Sequence, residues 1–116
     1  SRTDVILIVL GQLWLRNKLK QHGHGALYQR LRFRYGMGGL TKQQAKSYIQ
    51  HHLSLAGCKK ELLTDDAHDY LFMASGGILR EINNLMVDAL LKAMNLKKQK
   101  LDEQTIRMVV LQRDSS

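Results

Sequence analysis

Apolar positions change their rhythm once along this chain, and the change divides it in two. Residues 5–10 (Val, Ile, Leu, Ile, Val, Leu) are uninterrupted aliphatic and largely β-branched, as in a strand buried on both faces of a parallel sheet. No second run of this kind follows. A lone strand leaves its backbone donors and acceptors unpaired, so its neighbours are expected in sequence beyond this chain or in another molecule. The alternative is one helix over residues 4–21, interrupted only by Gly11. After the run, Leu13, Trp14, Leu15 and Leu19 alternate with Arg16, Lys18 and Lys20 in a short amphipathic helix that His22, Gly23, His24 and Gly25 break. A second short helix over residues 26–31 and an extended segment over 32–35 follow, ending at Gly36, Gly38 and Gly39, which read as a flexible joint.

From Thr41 onward the rhythm is helical throughout. Thr41 and Gln44 have the spacing of a capping box, in which each side chain takes a free backbone donor of the other. Ala45, Tyr48, Ile49, His52, Leu53 and Ala56 then share one face, and Gly57 stops the helix. Thr64 is placed to cap a helix whose first turn carries Asp65 and Asp66 at the positive end of its dipole. Ala67, Tyr70, Leu71 and Ala74 form its predicted inner face, and Gly76 and Gly77 end it. The longest predicted helix covers residues 78–95, burying Ile78, Ile82, Leu85, Met86, Ala89, Leu90 and Ala93 while Glu81, Asn84, Asp88 and Lys92 face out. Asp102 caps a last helix, with Leu101 stapled onto Ile106 and with Met108, Val109 and Leu111 continuing its apolar side. The expected fold class is mainly α, a helical bundle preceded by an orphan strand and short helices.

Composition narrows the function classes. At 116 residues, with 44% hydrophobic and 24% charged side chains and no proline, the chain is an ordinary helix-rich globular domain or part of one. Eighteen basic against ten acidic residues give a net charge of +8, which favours anionic partners such as nucleic acid, phosphates or acidic proteins. Six of those charges lie in residues 1–40, where seven basic side chains face only Asp4. A single cysteine, Cys58, excludes an internal disulfide and a zinc-cysteine pattern, and points to a reducing, cytoplasmic compartment. The six-residue apolar run is about a third of a membrane-spanning helix, so no membrane insertion is expected. His22 and His24 lack a nearby carboxylate or thiol, and His51 and His52 diverge as helix neighbours, so neither pair reads as a metal site.

No phosphate-holding loop is present: Gly36, Gly38 and Gly39 lack the Lys-Ser or Lys-Thr ending that would grip phosphate and magnesium. No acidic strand end is present to hold the metal either. Ser75, Gly76 and Gly77 followed by Arg80, Ile82 and Asn83 stand out, because Arg80 sits near a helix start, where a cation is disfavoured unless an anion joins it. The plain reading is a surface arginine paired with Glu81 or Asp88.

Taken in order, Leu10-Gly11-Gln12, Gln29-Arg30, Arg34-Tyr35, Tyr48-Ile49 with His51, Ala56-Gly57 and the 75–83 segment resemble the AAA+ ATPases of the general secretion pathway A and transposition-helper type. The resemblance spans roughly residues 4–112. It implies that residues 1–40 are the end of the ATPase core and residues 41–116 its helical lid. It implies that Gln12 is the first sensor of the γ-phosphate, Arg30 an arginine finger offered to a neighbouring subunit, and Arg80 the second sensor, with Gly77 beside the nucleotide. Where the family commonly has proline, this chain has Leu13 and Leu79. ATP and magnesium would then belong to the intact ATPase and neither to this piece alone, which would not be an active enzyme by itself. Its partners would be the rest of the core and further copies of itself, and DNA if the protein serves transposition rather than secretion. A basic helical nucleic-acid-binding module without nucleotide chemistry is the alternative, since aromatic Trp14, Tyr28, Phe33 and Tyr35 interleave with the basic residues; a purely structural interaction domain is the third.

Overall fold

The computed structural model describes residues 39–55, 57, 58 and 61–114. The expected strand over 5–10, the two short helices after it, the extended 32–35 segment and the first glycines of the joint lie outside the described residues, as do Gln12 and Arg30. Four helices are described: α1 (Lys42–Leu55), α2 (Asp65–Ser75), α3 (Leu79–Asn95) and α4 (Glu103–Asp114). They form a helical bundle in which α4 packs on both α2 and α3, α2 packs on α3, and α1 packs on α2.

Three of the four helices, α1, α2 and α4, begin where their capping chemistry predicts. The Thr41 N–H donates to Gln44 Oε1 at 2.9 Å and the Gln44 N–H donates to Thr41 Oγ1 at 3.2 Å, closing the capping box of α1. Thr64 Oγ1 accepts from the Ala67 N–H at 3.1 Å at the start of α2. Asp102 Oδ1 accepts from the Thr105 N–H at 2.9 Å and from its hydroxyl at 2.6 Å at the start of α4. Those two bonds, and then Lys98, hold the Asp102 carboxyl down to about 2. After α1, the Cys58 N–H reaches back to the Leu53 carbonyl at 2.9 Å and the Gly57 N–H to that of Ser54 at 3.0 Å, with Gly57 at φ 86°. This paired return satisfies carbonyls that the helix end leaves open.

One long-range tie holds two of these starts together. Leu63 and Leu101 form an isolated parallel bridge, in which the Leu101 N–H donates to the Leu62 carbonyl at 2.9 Å and the Thr64 N–H to the Leu101 carbonyl at 3.2 Å. Both leucines are fully enclosed, so α2 and α4 start side by side with their caps adjacent in the chain to the bridge.

Most predicted core positions are buried: Ala45, Tyr48, Ile49, His52 and Leu53 on α1, and Ile82, Leu85, Met86, Ala89, Leu90 and Ala93 on α3. Four expectations are corrected. Ile78 is 53% exposed and Leu111 is 66% exposed. Ile78 precedes the first turn of α3 as its N-cap, before the helix has joined the bundle, and Leu111 lies in the last turn of α4, off the Ile106 and Val109 side that packs inward. On α2 the inner face is rotated towards His68 and Ser75: Ala74 is exposed and Tyr70 only half-buried. Arg107 of α4 covers the Tyr70 ring at 4.4 Å from its centroid, a cation–π contact at the bundle edge.

Candidate functional site

The segment 75–83 is built as a buried anchor that displays Arg80. Ser75, the last residue of α2, is buried; its hydroxyl donates to the Phe72 carbonyl at 3.1 Å and accepts from the Gly77 N–H at 3.2 Å. Gly76 takes a left-handed conformation at φ 64° and its N–H donates to the Met73 carbonyl, while the Ile78 N–H returns to the Ser75 carbonyl at 3.1 Å. Gly77, also left-handed at φ 74°, lies against the chain where it enters α1: its carbonyl accepts from the Leu40 N–H at 2.7 Å. A Cβ on Gly77 would meet the Leu40 oxygen at 2.4 Å, so this glycine is required by a close backbone approach. Gly77 is buried, and the close approach made here is to Leu40.

α3 starts without a side-chain cap, because its N-cap residue is Ile78. The first amides of a helix have no intrahelical partner and carry the positive end of its dipole. Glu81 in that first turn is bound by Arg113 of α4 at 3.2 Å. Arg80 is exposed and makes no ion pair or hydrogen bond among the described residues, so the pairing with Glu81 or Asp88 weighed from the sequence does not form. An arginine and an open helix N-terminus together make a donor set suited to a phosphate. Exposed Met73 and Ile78 flank the turn.

The far end of the segment is structural. Asn83 is fully buried, and its Oδ1 accepts from the Tyr48 hydroxyl of α1 at 2.7 Å. Burial pushes the Tyr48 phenol up, outweighing the lowering by Asn83. Tyr48 also packs edge-on against His52, with ring centroids 4.4 Å apart. The two short sequence patterns, Tyr48-Ile49 and Ile82-Asn83, are thus brought together inside the bundle. Sequence reasoning had no signal for the Tyr48–Asn83 pair, because its members lie 35 residues apart; an asparagine on an otherwise apolar helix face was the one available hint.

His51 is exposed and His52 buried, so the two do not share a site, and among the described residues no group of histidine, cysteine or acidic side chains is arranged to hold a metal. Cys58 is half-buried against the core. Among the described residues no helix is long and apolar enough to cross a membrane.

Burial, and secondly the adjacent His51, hold the His52 imidazole down to about 4 from its ordinary 6.5. The unfolded chain therefore binds the extra proton first. Stability is complete above pH 6.5 and declines as the pH falls towards 4. His68 acts in the same direction, through burial and Lys46 against the opposing Asp65, Glu61 and Asp69. The melting temperature is expected to drop by several degrees across that window, and His52→Leu to flatten the decline, leaving the share of His68. A flat wild-type profile between pH 6.5 and 4 would contradict this assignment.

General secretion pathway protein A of Aeromonas hydrophila is 34% identical to this chain over 87 residues, a stretch that is 75% of this chain and 16% of that protein. The chain thus spans about a sixth of the length of the relative it matches. No protein-family model matches it, and no solved structure does. The relative carries the name of the group that the ordered sequence motifs resemble.

Proposed function

We propose that residues 41–116 are the helical lid of an AAA+ ATPase of the general secretion pathway A kind, and that Arg80 binds a phosphate of the nucleotide held between this lid and the ATPase core. The observation that carries this reading is Arg80, without an ion pair or hydrogen bond among the described residues, at the uncapped start of α3, on a turn anchored by Ser75, Gly77 and Asn83. Among the described residues Arg80 has no ion pair, and the one carboxylate in the first turn of α3, Glu81, is taken by Arg113, an electrostatic setting in which a bound phosphate is favoured. Residues 1–40 would complete the core, with Gln12 as first sensor and Arg30 as the finger reaching a neighbouring copy. ATP and magnesium would bind the intact ATPase, which would act in the cytoplasm as a homo-oligomer. The relative's name favours a role in secretion over transposition.

The nucleic-acid-binding alternative draws on the net charge, but residues 41–116 hold eleven basic and nine acidic side chains. Any salt-sensitive binding to DNA would reside in residues 1–40. In the intact protein, Arg80→Ala is expected to weaken equilibrium ATP binding by about tenfold to a hundredfold, the usual worth of a hydrogen bond to a charged group, with Arg80→Lys retaining part of it. Unchanged affinity in Arg80→Ala would remove the phosphate role.

A further inference from the structure

The chain enters the bundle at Gly39 and Leu40, and it enters against the turn that starts the helix of Arg80. Gly39 has φ 92°, and a Cβ there would lie 3.2 Å from the Gly77 oxygen and 3.4 Å from the Gly76 oxygen. On the other side, a Cβ on Gly77 would lie 2.4 Å from the Leu40 oxygen and 3.3 Å from its nitrogen. The two glycine segments therefore touch backbone to backbone, and the Leu40 N–H bond to the Gly77 carbonyl at 2.7 Å closes the contact. Leu40 is itself buried in the core, and the very next residue, Thr41, caps α1.

The turn is held on its own account. Gly77 is held by the Ser75 hydroxyl, and Ile78 by the Ser75 carbonyl, so the turn moves as one piece with the end of α2. Arg80 follows only three residues later. A reorientation of the entering chain that carries Leu40 with it must either break the Leu40–Gly77 bond or carry the turn, and with it the first turn of α3.

We propose that this contact is a positioning strap: Leu40 and Gly77 couple the direction of the entering chain to the placement of Arg80, so that the lid's attachment point controls its grip on phosphate. This rests on the phosphate role of Arg80. It assigns Gly77 the part of holding the arginine in register through Leu40.

A double-mutant cycle in the intact protein tests it, read by equilibrium titration with magnesium-ATP and by amide exchange without nucleotide. Gly77→Ala is expected to weaken ATP binding by about fivefold, roughly what one hydrogen bond contributes, and to add nothing further in an Arg80→Ala background. It should also speed exchange of the Leu40 amide. Gly76→Ala is the matched control, since it has the same left-handed strain but no atom within 4 Å of the added Cβ; it should leave ATP affinity and Leu40 exchange unchanged. Should Gly77→Ala fail to fold, Gly39→Ala and replacement of Leu40 by its α-hydroxy acid, which deletes only the N–H, serve in the same cycle. Equal losses from Gly77→Ala in both backgrounds, or none while Arg80→Ala binds weakly, overturn the strap and leave the phosphate role standing. Undiminished binding in Arg80→Ala overturns both.

Discussion

Gly77→Ala is expected to destabilise the bundle by about 3 kcal/mol, whereas Gly76→Ala, one residue earlier, costs about 1 kcal/mol. Both glycines are left-handed, at φ 64° for Gly76 and 74° for Gly77, so an alanine at either carries the same backbone strain. Only Gly77 is crowded: its Cβ would meet the Leu40 oxygen at 2.4 Å and Phe72 Cε1 at 3.1 Å. Phe72 can turn, but the Leu40 backbone must move, which opens the 2.7 Å bond to Gly77 and strands its donor and acceptor beside a buried leucine. An unpaired buried backbone group costs about 1–3 kcal/mol, and that is the difference expected between the two variants in urea melts. Equal costs would mean that left-handed strain alone explains both, and that the Leu40 contact adds nothing to stability.

Tyr48→Phe is expected to cost about 2 kcal/mol, with Asn83→Leu in the same chain returning part of the loss. The Tyr48 hydroxyl donates to Asn83 Oδ1 inside the core, and Asn83 Nδ2 is buried without a hydrogen-bond partner. Removing the hydroxyl leaves the asparagine wholly unsatisfied, and its desolvation is then uncompensated. Replacing both groups by apolar ones of similar size removes the penalty along with the bond. Because burial raises the phenol's pKa, the donor stays protonated across the ordinary pH range. A denaturant-derived cycle over Tyr48 and Asn83 reads the coupling directly, and additive losses would show that the pair is not a unit.

These two variants separate the roles within the 75–83 segment. Ser75, Gly77, Ile82 and Asn83 face inward and hold α1, α2 and α3 in register, while Arg80 alone among its charged residues stands without an ion pair among the described residues. A substitution at the inward positions is expected to lower stability first, and one at Arg80, under the proposed phosphate role, to change anion binding without unfolding the bundle.

The helix starts and stops were legible in the sequence because the chemistry that makes them is local. The Thr41–Gln44 box, the Thr64 and Asp102 caps and the glycine stops at Gly57 and Gly76 each involve residues a few positions apart, and apolar spacing then places most of the α1 and α3 core. Arg80 was picked out by its place near a helix start, and it is exposed there in the first turn of α3. What the tertiary structure decided is which side of each helix meets a neighbour and which polar groups are enclosed there. Spacing does not reveal that His68 and Ser75 turn inward while Ala74 and Ile78 turn out, since that depends on where α1 and α4 dock. The Leu63–Leu101 bridge, the Tyr48–Asn83 bond and the Leu40–Gly77 contact join residues some 35 to 38 positions apart. Such contacts form only once the helices have packed, and only they show that Gly77 seats the backbone of Leu40.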